Sequence, residues 1–341
     1  MREYLLQLAE QKHFSEEEMK SAAESLLCEE VSETEIAAFL MGLKSKGETV
    51  DEIAGLVRAL KDNTLIFKKR FDNVLDNCGT GGDGSSSFNV STTSAFVIAG
   101  AGIPVAKHGN RSVSSKTGSA DVLEYLGIQL NLSAENIEEI LDDIGVAFLF
   151  APNVHPKLKK VMSVRRQLRI PTIFNFIGPL TNPIDLDYQL LGVYRRDLLN
   201  VFAEVLHKLG RKRAVVLNGA GFMDEASLQG ENHLTILENG VITNESFFPE
   251  EVDLPQYDNQ QIMGGDSKEN AEILLRVLKG ERGAYRATVL LNSGIGIYTA
   301  GKVNSIKEGI TMAKEIIDSG KAYEKLSLLI DKTKKAQREA I

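Results

Sequence analysis

Cysteine is scarce in this 341-residue chain, and the two present, Cys28 and Cys78, show no CxxC spacing. That leaves no basis for a disulfide framework or a zinc site, and both read as small buried hydrophobes. Long apolar runs are missing as well: none approaches the roughly 20 residues that a membrane span requires. The opening MREYLLQLAEQKHF carries acids and a histidine where a signal peptide would be unbroken and apolar. A cytoplasmic location without membrane contact is therefore expected. Nor is there an excess of positive charge, since the net charge is −8, which opposes long-range capture of nucleic acid. An anionic ligand must then be held by local groups or by metal ions. What remains, 43% hydrophobic and 25% charged residues, is ordinary globular composition. One large domain with a small one is the natural expectation at this length.

The first seventy residues read as three or four short helices, because S/T-x-x-E spacing recurs at Ser15 and Glu18, Ser32 and Glu35, and Thr49 and Glu52. Apolar residues follow at helical intervals: Leu26 and Leu27, then Ile36, Phe39, Leu40 and Leu43, then Ile53, Leu56, Val57 and Leu60. From Val74 onward, short apolar strands end in glycine-rich turns and lead into helices, the pattern of an α/β domain. Strands are expected at 74–78, 103–106, 146–150, 189–193, 214–217 and 288–291. Helices are expected at 92–99 and 119–126, the latter capped by Ser119, and from Ser133 to a stop at Gly145. Asn239-Gly240 between two apolar runs signals a type I′ hairpin, so part of the sheet is antiparallel. There is no internal repeat or low-complexity segment, and the basic tail at 332–338 reads as a solvated helix end.

Three segments carry chemistry. Cys78-Gly79-Thr80-Gly81-Gly82-Asp83-Gly84 follows a strand, and its four glycines are free to take the positive φ that turns successive N–H groups toward one point, an anion nest. The pattern is not G-x-G-x-x-G and lacks the lysine of a P-loop, which disfavours a dinucleotide or a triphosphate. Phe88-Asn89-Val90-Ser91-Thr92-Thr93 then places hydroxyls and an amide at a helix start, where free N–H groups and the dipole favour phosphate. Finally, Lys107-His108-Gly109-Asn110-Arg111-Ser112-Val113-Ser114-Ser115-Lys116-Thr117-Gly118-Ser119 combines cations, hydroxyls and glycine in one long loop. It leaves the C-terminal end of a strand, where open α/β sheets place their ligands, and its composition suits a sugar with phosphates at both ends.

The runs GTGGDGSSSFNVST and KHGNRSVSSKTGSADVLE strongly resemble anthranilate phosphoribosyltransferases. The similarity continues in order through FAPNVHPKLKKVMSVRRQLRIPTIFNFIGPLTNP, QLLGVY and VVLNGAGFMDEAS to IYTAGK. The resemblance implies a fold like that of nucleoside phosphorylases: a small N-terminal helical domain hinged to a large α/β domain with a central, mostly parallel sheet. Residues 1–70, with part of 165–185 packing on them, would form the helical domain and a homodimer interface, and 71–341 the α/β domain. It also implies Mg²⁺-dependent transfer of phosphoribosyl from 5-phosphoribosyl 1-diphosphate to the amine of anthranilate, with release of diphosphate, in tryptophan biosynthesis. Under it, Gly79, Gly82 and Asp83, helped by Ser87, Asn89, Val90, Ser91 and Thr92, would hold the diphosphate. Lys107, His108, Gly109, Asn110 and Arg111, with Ser112, Val113, Ser114, Ser115 and Ser119, would hold the rest of that substrate. Asp224, Glu225 and Ser91 would bind Mg²⁺, while Arg165, Asn110 and the backbone at Gly79 would receive anthranilate near His108 and His155.

No Ser-His-Asp or Cys-His constellation is evident, and the implied chemistry needs none, because an aromatic amine is already nucleophilic and diphosphate leaves well once neutralised. Read without the resemblance, Asp224-Glu225 before Ala226-Ser227-Leu228 could merely charge the first turn of a helix, and Arg165 and Arg166 could pair with surface acids. Family members commonly carry His where Asn218 stands, beside the expected acceptor region; Lys157 and Ser87 also depart from the usual Ala and Thr. A pyrimidine nucleoside phosphorylase-like enzyme is the nearest rival, and a non-catalytic nucleic-acid-binding relative the rival of another class.

Overall fold

The computed structural model describes residues 1–111 and 117–339. Ser112, Val113, Ser114 and Ser115, four of the expected substrate-binding residues, lie outside the described residues.

Four helices open the chain: α1 (Arg2–Ala9), α2 (Glu16–Leu26), α3 (Glu33–Lys46) and α4 (Val50–Lys61). All three expected capping boxes form, with the oxygens of Ser15, Ser32 and Thr49 accepting from the N–H of Glu18, Glu35 and Glu52, whose carboxylates reach back to the cap. Glu52 ties more than its own helix. Fully buried, it also accepts from the Phe14 N–H at 2.9 Å and from Lys46 Nζ at 2.7 Å, joining the start of α4 to the approach of α2 and the end of α3.

Beyond these the chain alternates strand and helix. β1 (Leu75–Gly79), α5 (Val90–Gly100), β2 (Val105–Gly109), α6 (Ser119–Tyr125), α7 (Ala134–Ile144) and β3 (Val146–Phe150) come first. After α8 (Ala151–Val154) and α9 (Lys159–Leu168) follow β4 (Tyr188–Gly192), α10 (Leu199–Lys208) and β5 (Arg213–Asn218). A hairpin, β6 (Asn232–Glu238) and β7 (Val241–Phe247), precedes α11 (Ser267–Leu278), α12 (Ala284–Thr299), α13 (Ile306–Asp318) and α14 (Lys321–Glu339). The seven strands form one sheet in the order β3-β2-β1-β4-β5-β6-β7, parallel through β5 and antiparallel at β6 and β7. Asn239 and Gly240 turn the hairpin at φ of 50° and 80°, as a type I′ turn requires.

Strand order reverses between β1 and β4. Their last residues, Gly79 and Gly192, are register partners, so two glycines stand side by side at the switch point where open sheets bind ligands. One core layer covers one sheet face with α5, α7 and α12 to α14. The other joins the four N-terminal helices to Val161 and Val164 of α9, to Ile173, Phe174 and Ile177, and to Leu191, Ala214 and Val216 on the opposite face. Among the described residues no helix is long and apolar enough to cross a membrane.

Several expectations are corrected. Residues 288–291 lie inside α12, a 16-residue helix buried nearly all round, so the run is apolar without the stripe that would mark a helix. β2 begins after Pro104 and takes in Lys107, His108 and Gly109, which pair with Phe148, Leu149 and Phe150 and are not loop residues. Gly118, not Ser119, occupies the cap position of α6. Cys28 is exposed just past the end of α2, its thiol donating to the Glu24 carbonyl, and Cys78 is only half-buried.

Because Glu52 pairs with Lys46 out of water, Glu52→Ala should leave a buried cation without its partner and destabilise the fold by about 3–5 kcal/mol. Urea unfolding followed by circular dichroism would measure this, and a loss within about 0.5 kcal/mol would contradict it.

Candidate functional site

Glycine builds the site by what it lacks. A methyl placed on Gly79 would run into the Asp224 carboxylate, one on Gly192 into the Asp224 carbonyl, and one on Gly219 into the Glu225 carbonyl. The segment carrying Asp224 and Glu225 therefore lies directly across the ends of β1, β4 and β5. It is a loop and no helix follows it, which removes the reading of these acids as helix-charging residues.

Each acid fills one of the backbone anion sites legible in the sequence. In the glycine turn, Gly81, Gly82 and Gly84 take φ of 68°, 79° and 73°, whereas Gly79 finishes the strand in ordinary geometry. The Gly81 N–H donates to Asp224 Oδ2 at 2.6 Å. At the start of α5, the Ser91 N–H donates to Glu225 Oε1 at 3.2 Å. Asp83 adds a third carboxylate, its Oδ2 accepting from the Asp224 N–H at 3.4 Å.

Such crowding has an electrostatic consequence. Burial, followed by the charges of Asp83 and Glu225, holds the Asp224 carboxyl well above the usual range. Glu225 is pushed up to about 7, mainly by removal from water; Lys107 and the Ser91 hydroxyl and N–H oppose the shift. Lys107 itself is buried on β2, with Nζ donating to the Asn77 carbonyl at 2.7 Å. Among the described residues no three His, Cys, Asp or Glu side chains stand ready-grouped around a metal position. The all-oxygen set of Asp224, Glu225 and Ser91 does suit Mg²⁺, a cation that commonly takes one or two carboxylates and completes its shell with substrate phosphates and water.

A second cluster lies on the β2 side. His108 and His155 are buried, with rings 5.3 Å apart in a T-shaped contact. His108 Nδ1 lies 3.1 Å from the Gly178 carbonyl and must donate to it, which leaves Nε2 as a bare acceptor. His155 bonds to the backbone of Thr181, and among the described residues neither Nε2 has a hydrogen-bond partner. Burial, with His155 and Lys107 nearby, holds His108 down to about 3, and burial holds His155 down to about 4. Both rings are neutral at physiological pH.

Arg165 lies on α9. It is half-buried, donates to Met162 Sδ and Asn175 Oδ1, lies 5.5 Å over the Phe174 ring, and pairs with no acid among the described residues. Arg111, by contrast, is already bound by Asp121 and Glu124, each at 2.8 Å. Ser119 Oγ donates to the Asn110 carbonyl at 3.2 Å, and Asn89 Oδ1 accepts from Asn270 at 2.9 Å. Ser87 bridges to Met263, Val90 opens α5, and the Thr92 hydroxyl is buried without a partner among the described residues. Asn218 ends β5. Its hydrogen bonds run beneath the acidic loop, and none reaches Arg165, His108 or His155.

Sequence reasoning missed Gly192 and Gly219, and with them a buried clasp. Asp76 of β1 accepts from Asn182 Nδ2 at 3.0 Å and from the His108 N–H at 3.2 Å. Its register partner Gln189 donates to the Pro179 carbonyl at 2.7 Å, so both grip the segment that meets His108. A buried Asp and a buried Gln in predicted strands were the available signal.

Comparison with known proteins finds relatives along nearly the whole chain. Residues 2–64 match the glycosyl transferase family helical bundle domain, and 71–323 the glycosyl transferase family a/b domain. The chain is 56% identical over 330 residues to the anthranilate phosphoribosyltransferase of Bacillus cereus (strain B4264), covering 97% of each. The Bacillus mycoides enzyme of that name is 55% identical over the same span. Among solved structures, the Thermus thermophilus anthranilate phosphoribosyltransferase superposes with a TM-score of 0.92 at 38% identity, covering 97% of this chain and 99% of that one. The Saccharomyces cerevisiae enzyme in complex with 5-phosphoribosyl 1-diphosphate and Mg gives 0.90 at 26% identity, covering 98% and 97%.

The histidine pair makes a pH prediction with a definite sign. Both folded values lie below the ordinary 6.5, so the unfolded chain takes up protons that the fold refuses. Their contribution to stability is full above about pH 6.5 and drains away toward about 4 and then 3. Glu225 acts in the opposite sense between its ordinary 4.5 and about 7, so the comparison must be with a variant. His155→Gln should flatten the fall of urea-unfolding stability between about pH 6.5 and 5, and an unchanged slope would count against the assignment.

Proposed function

This chain belongs to the anthranilate phosphoribosyltransferases, and we propose that its acidic loop at the switch point takes up Mg²⁺ and diphosphate while the histidine side takes up anthranilate. The observation that carries the assignment is that both backbone anion sites are filled by the chain's own acids, Asp224 on Gly81 and Glu225 on Ser91. Diphosphate has the charge to take over those N–H groups. The two carboxylates are then free to act as metal ligands together with the Ser91 hydroxyl, and charge that was mutually repulsive becomes useful.

The reaction forms a bond from the anthranilate nitrogen to C1′ of the ribose and breaks the bond from C1′ to the diphosphate oxygen, whose electron pair leaves with diphosphate; the nitrogen sheds one N–H proton to diphosphate or water. Asp224, Glu225 and the Ser91 hydroxyl would hold Mg²⁺, which would supply neutralisation of that charge. Lys107 and the N–H groups of the glycine turn add fixed positive potential; an opposite charge about 4 Å away is worth roughly 4 kcal/mol at an effective dielectric near 20. Arg165, with no acid partner, offers its planar fork to the anthranilate carboxylate. The bare Nε2 atoms of His108 and His155 are acceptors suited to the amine N–H, which orients the nitrogen lone pair without a charged base. C1′–O cleavage running ahead of N–C1′ bonding, with inversion at C1′, follows from a good leaving group and a weakly basic nucleophile.

Mixing the protein with anthranilate, 5-phosphoribosyl 1-diphosphate and Mg²⁺ should quench anthranilate fluorescence, and thymidine with phosphate should give no thymine. Joint Asp224→Asn and Glu225→Gln substitution should lower kcat/KM by on the order of 10³-fold; near-normal turnover with unaltered Mg²⁺ dependence would refute their role. Arg165→Ala should raise KM for anthranilate by about tenfold or more while sparing that for the diphosphate substrate. Equal rises in both would exclude it as the acceptor's carboxylate partner.

The homodimer is likewise our reading. Leu6 on α1 and Met41 on α3 stay exposed at 55% and 39% on helices that pack together, an apolar face suited to a second copy. Sedimentation should give twice the 37.4 kDa chain mass, with joint Leu6→Glu and Met41→Glu shifting it to the monomer. A monomeric unmodified protein would reject this face.

A further inference from the structure

The acidic loop must hold Asp224 and Glu225 over the strand ends, yet it enters through a residue in an unfavourable conformation. Phe222 has φ of 61° although it is not glycine, and the residue is 59% exposed. Bulky L residues rarely adopt that geometry, so surrounding contacts must impose it. Those contacts converge on one buried amide.

Asn218, the last residue of β5, is 0% exposed. Its Nδ2 donates to the carbonyl of Val193 at 2.8 Å and faces those of Tyr194 at 3.2 Å and Met223 at 3.3 Å. Its Oδ1 accepts from Arg196 Nε at 2.9 Å. Three carbonyls at one end and a guanidinium at the other leave a single orientation for the amide. The Arg196 guanidinium lies 5.1 Å over the Phe222 ring. A closed circuit results: Asn218 to Arg196, Arg196 to Phe222, Phe222 along the chain to Met223, and the Met223 carbonyl back to Asn218.

We infer that Asn218 is a positioning residue for the acidic pair, seating the loop immediately before Asp224, with Arg196 and Phe222 locking it in place. The inference rests on the reading that Asp224 and Glu225 take up Mg²⁺ with the diphosphate. Asn218 touches no reacting group, and it makes no hydrogen bond to Arg165, His108 or His155. Its influence should therefore fall on the metal and diphosphate side and spare the acceptor side.

The test uses the full-length enzyme and the anthranilate fluorescence assay over a Mg²⁺ titration. Asn218→Ala should raise the Mg²⁺ midpoint about 10- to 100-fold, as loss of a residue supporting metal ligands does, and raise KM for 5-phosphoribosyl 1-diphosphate with it. KM for anthranilate should stay within about twofold, and kcat should recover at saturating Mg²⁺. A residue with only a structural role would depress kcat at every Mg²⁺ concentration and raise both KM values alike; that result, or an unmoved midpoint, overturns the inference. If Asn218→Ala does not fold, Arg196→Ala and Phe222→Ala carry the test: each should move the midpoint the same way, and no movement in either overturns it. A wild-type enzyme whose turnover ignores Mg²⁺ would instead overturn the reading beneath it.

Discussion

Two missing side chains at the switch point govern this site. Gly79 and Gly192 end adjacent strands in register, and the Asp224 backbone and carboxylate occupy the space that their Cβ atoms would fill. Gly219 does the same for the Glu225 carbonyl. A glycine in a strand usually weakens it, since it packs nothing and loses more entropy on ordering. Here the three together let a loop cross the sheet's carboxyl edge at contact distance, and only at that distance can Asp224 reach the Gly81 N–H and Glu225 the Ser91 N–H.

The resulting arrangement is electrostatically costly. Asp83, Asp224 and Glu225 crowd together, and burial with mutual repulsion holds Asp224 well above its normal range and Glu225 near about 7. The backbone N–H groups and Lys107 offset part of that cost without removing it. A chain with net charge −8 cannot draw an anionic substrate by its overall field, so local groups must recognise it. Acids resting in anion sites answer that need: a ligand bringing both phosphate and a divalent cation satisfies N–H groups and carboxylates at once, whereas phosphate alone displaces acids that then have no partner.

How far the sequence spoke depended on the range of each interaction. The capping boxes at Ser15, Ser32 and Thr49 and the Asn239-Gly240 turn are fixed by neighbours within four residues, and they were legible. β2 was read short because Lys107 and His108, placed at the strand's ligand-facing end, break the apolar pattern that marks a strand. The segment 288–291 was misread because a helix buried on all sides shows no polar face. Gly192 falls inside an expected strand and Gly219 just beyond one; their need for a bare Cα comes from Asp224 and Glu225, brought there by folding. Asn218 drew notice only as a departure from the usual residue, and its partners Val193 and Arg196 become neighbours only once β4 and β5 pair.

Both sides of the site are measured from a single strand. Along five residues of β1, Asp76 grips Asn182 and the His108 N–H, Asn77 offers its carbonyl to Lys107, and Gly79 admits Asp224. Alternation along a strand sends Asp76 and Asn77 to opposite faces, so one grips the segment beneath the histidines while the other meets Ser91 at the start of α5. If the acidic loop takes diphosphate and the histidine side anthranilate, as proposed, the same rigid element sets both positions. A reaction that gains its rate from holding two substrates in line needs such a common reference more than it needs a catalytic base.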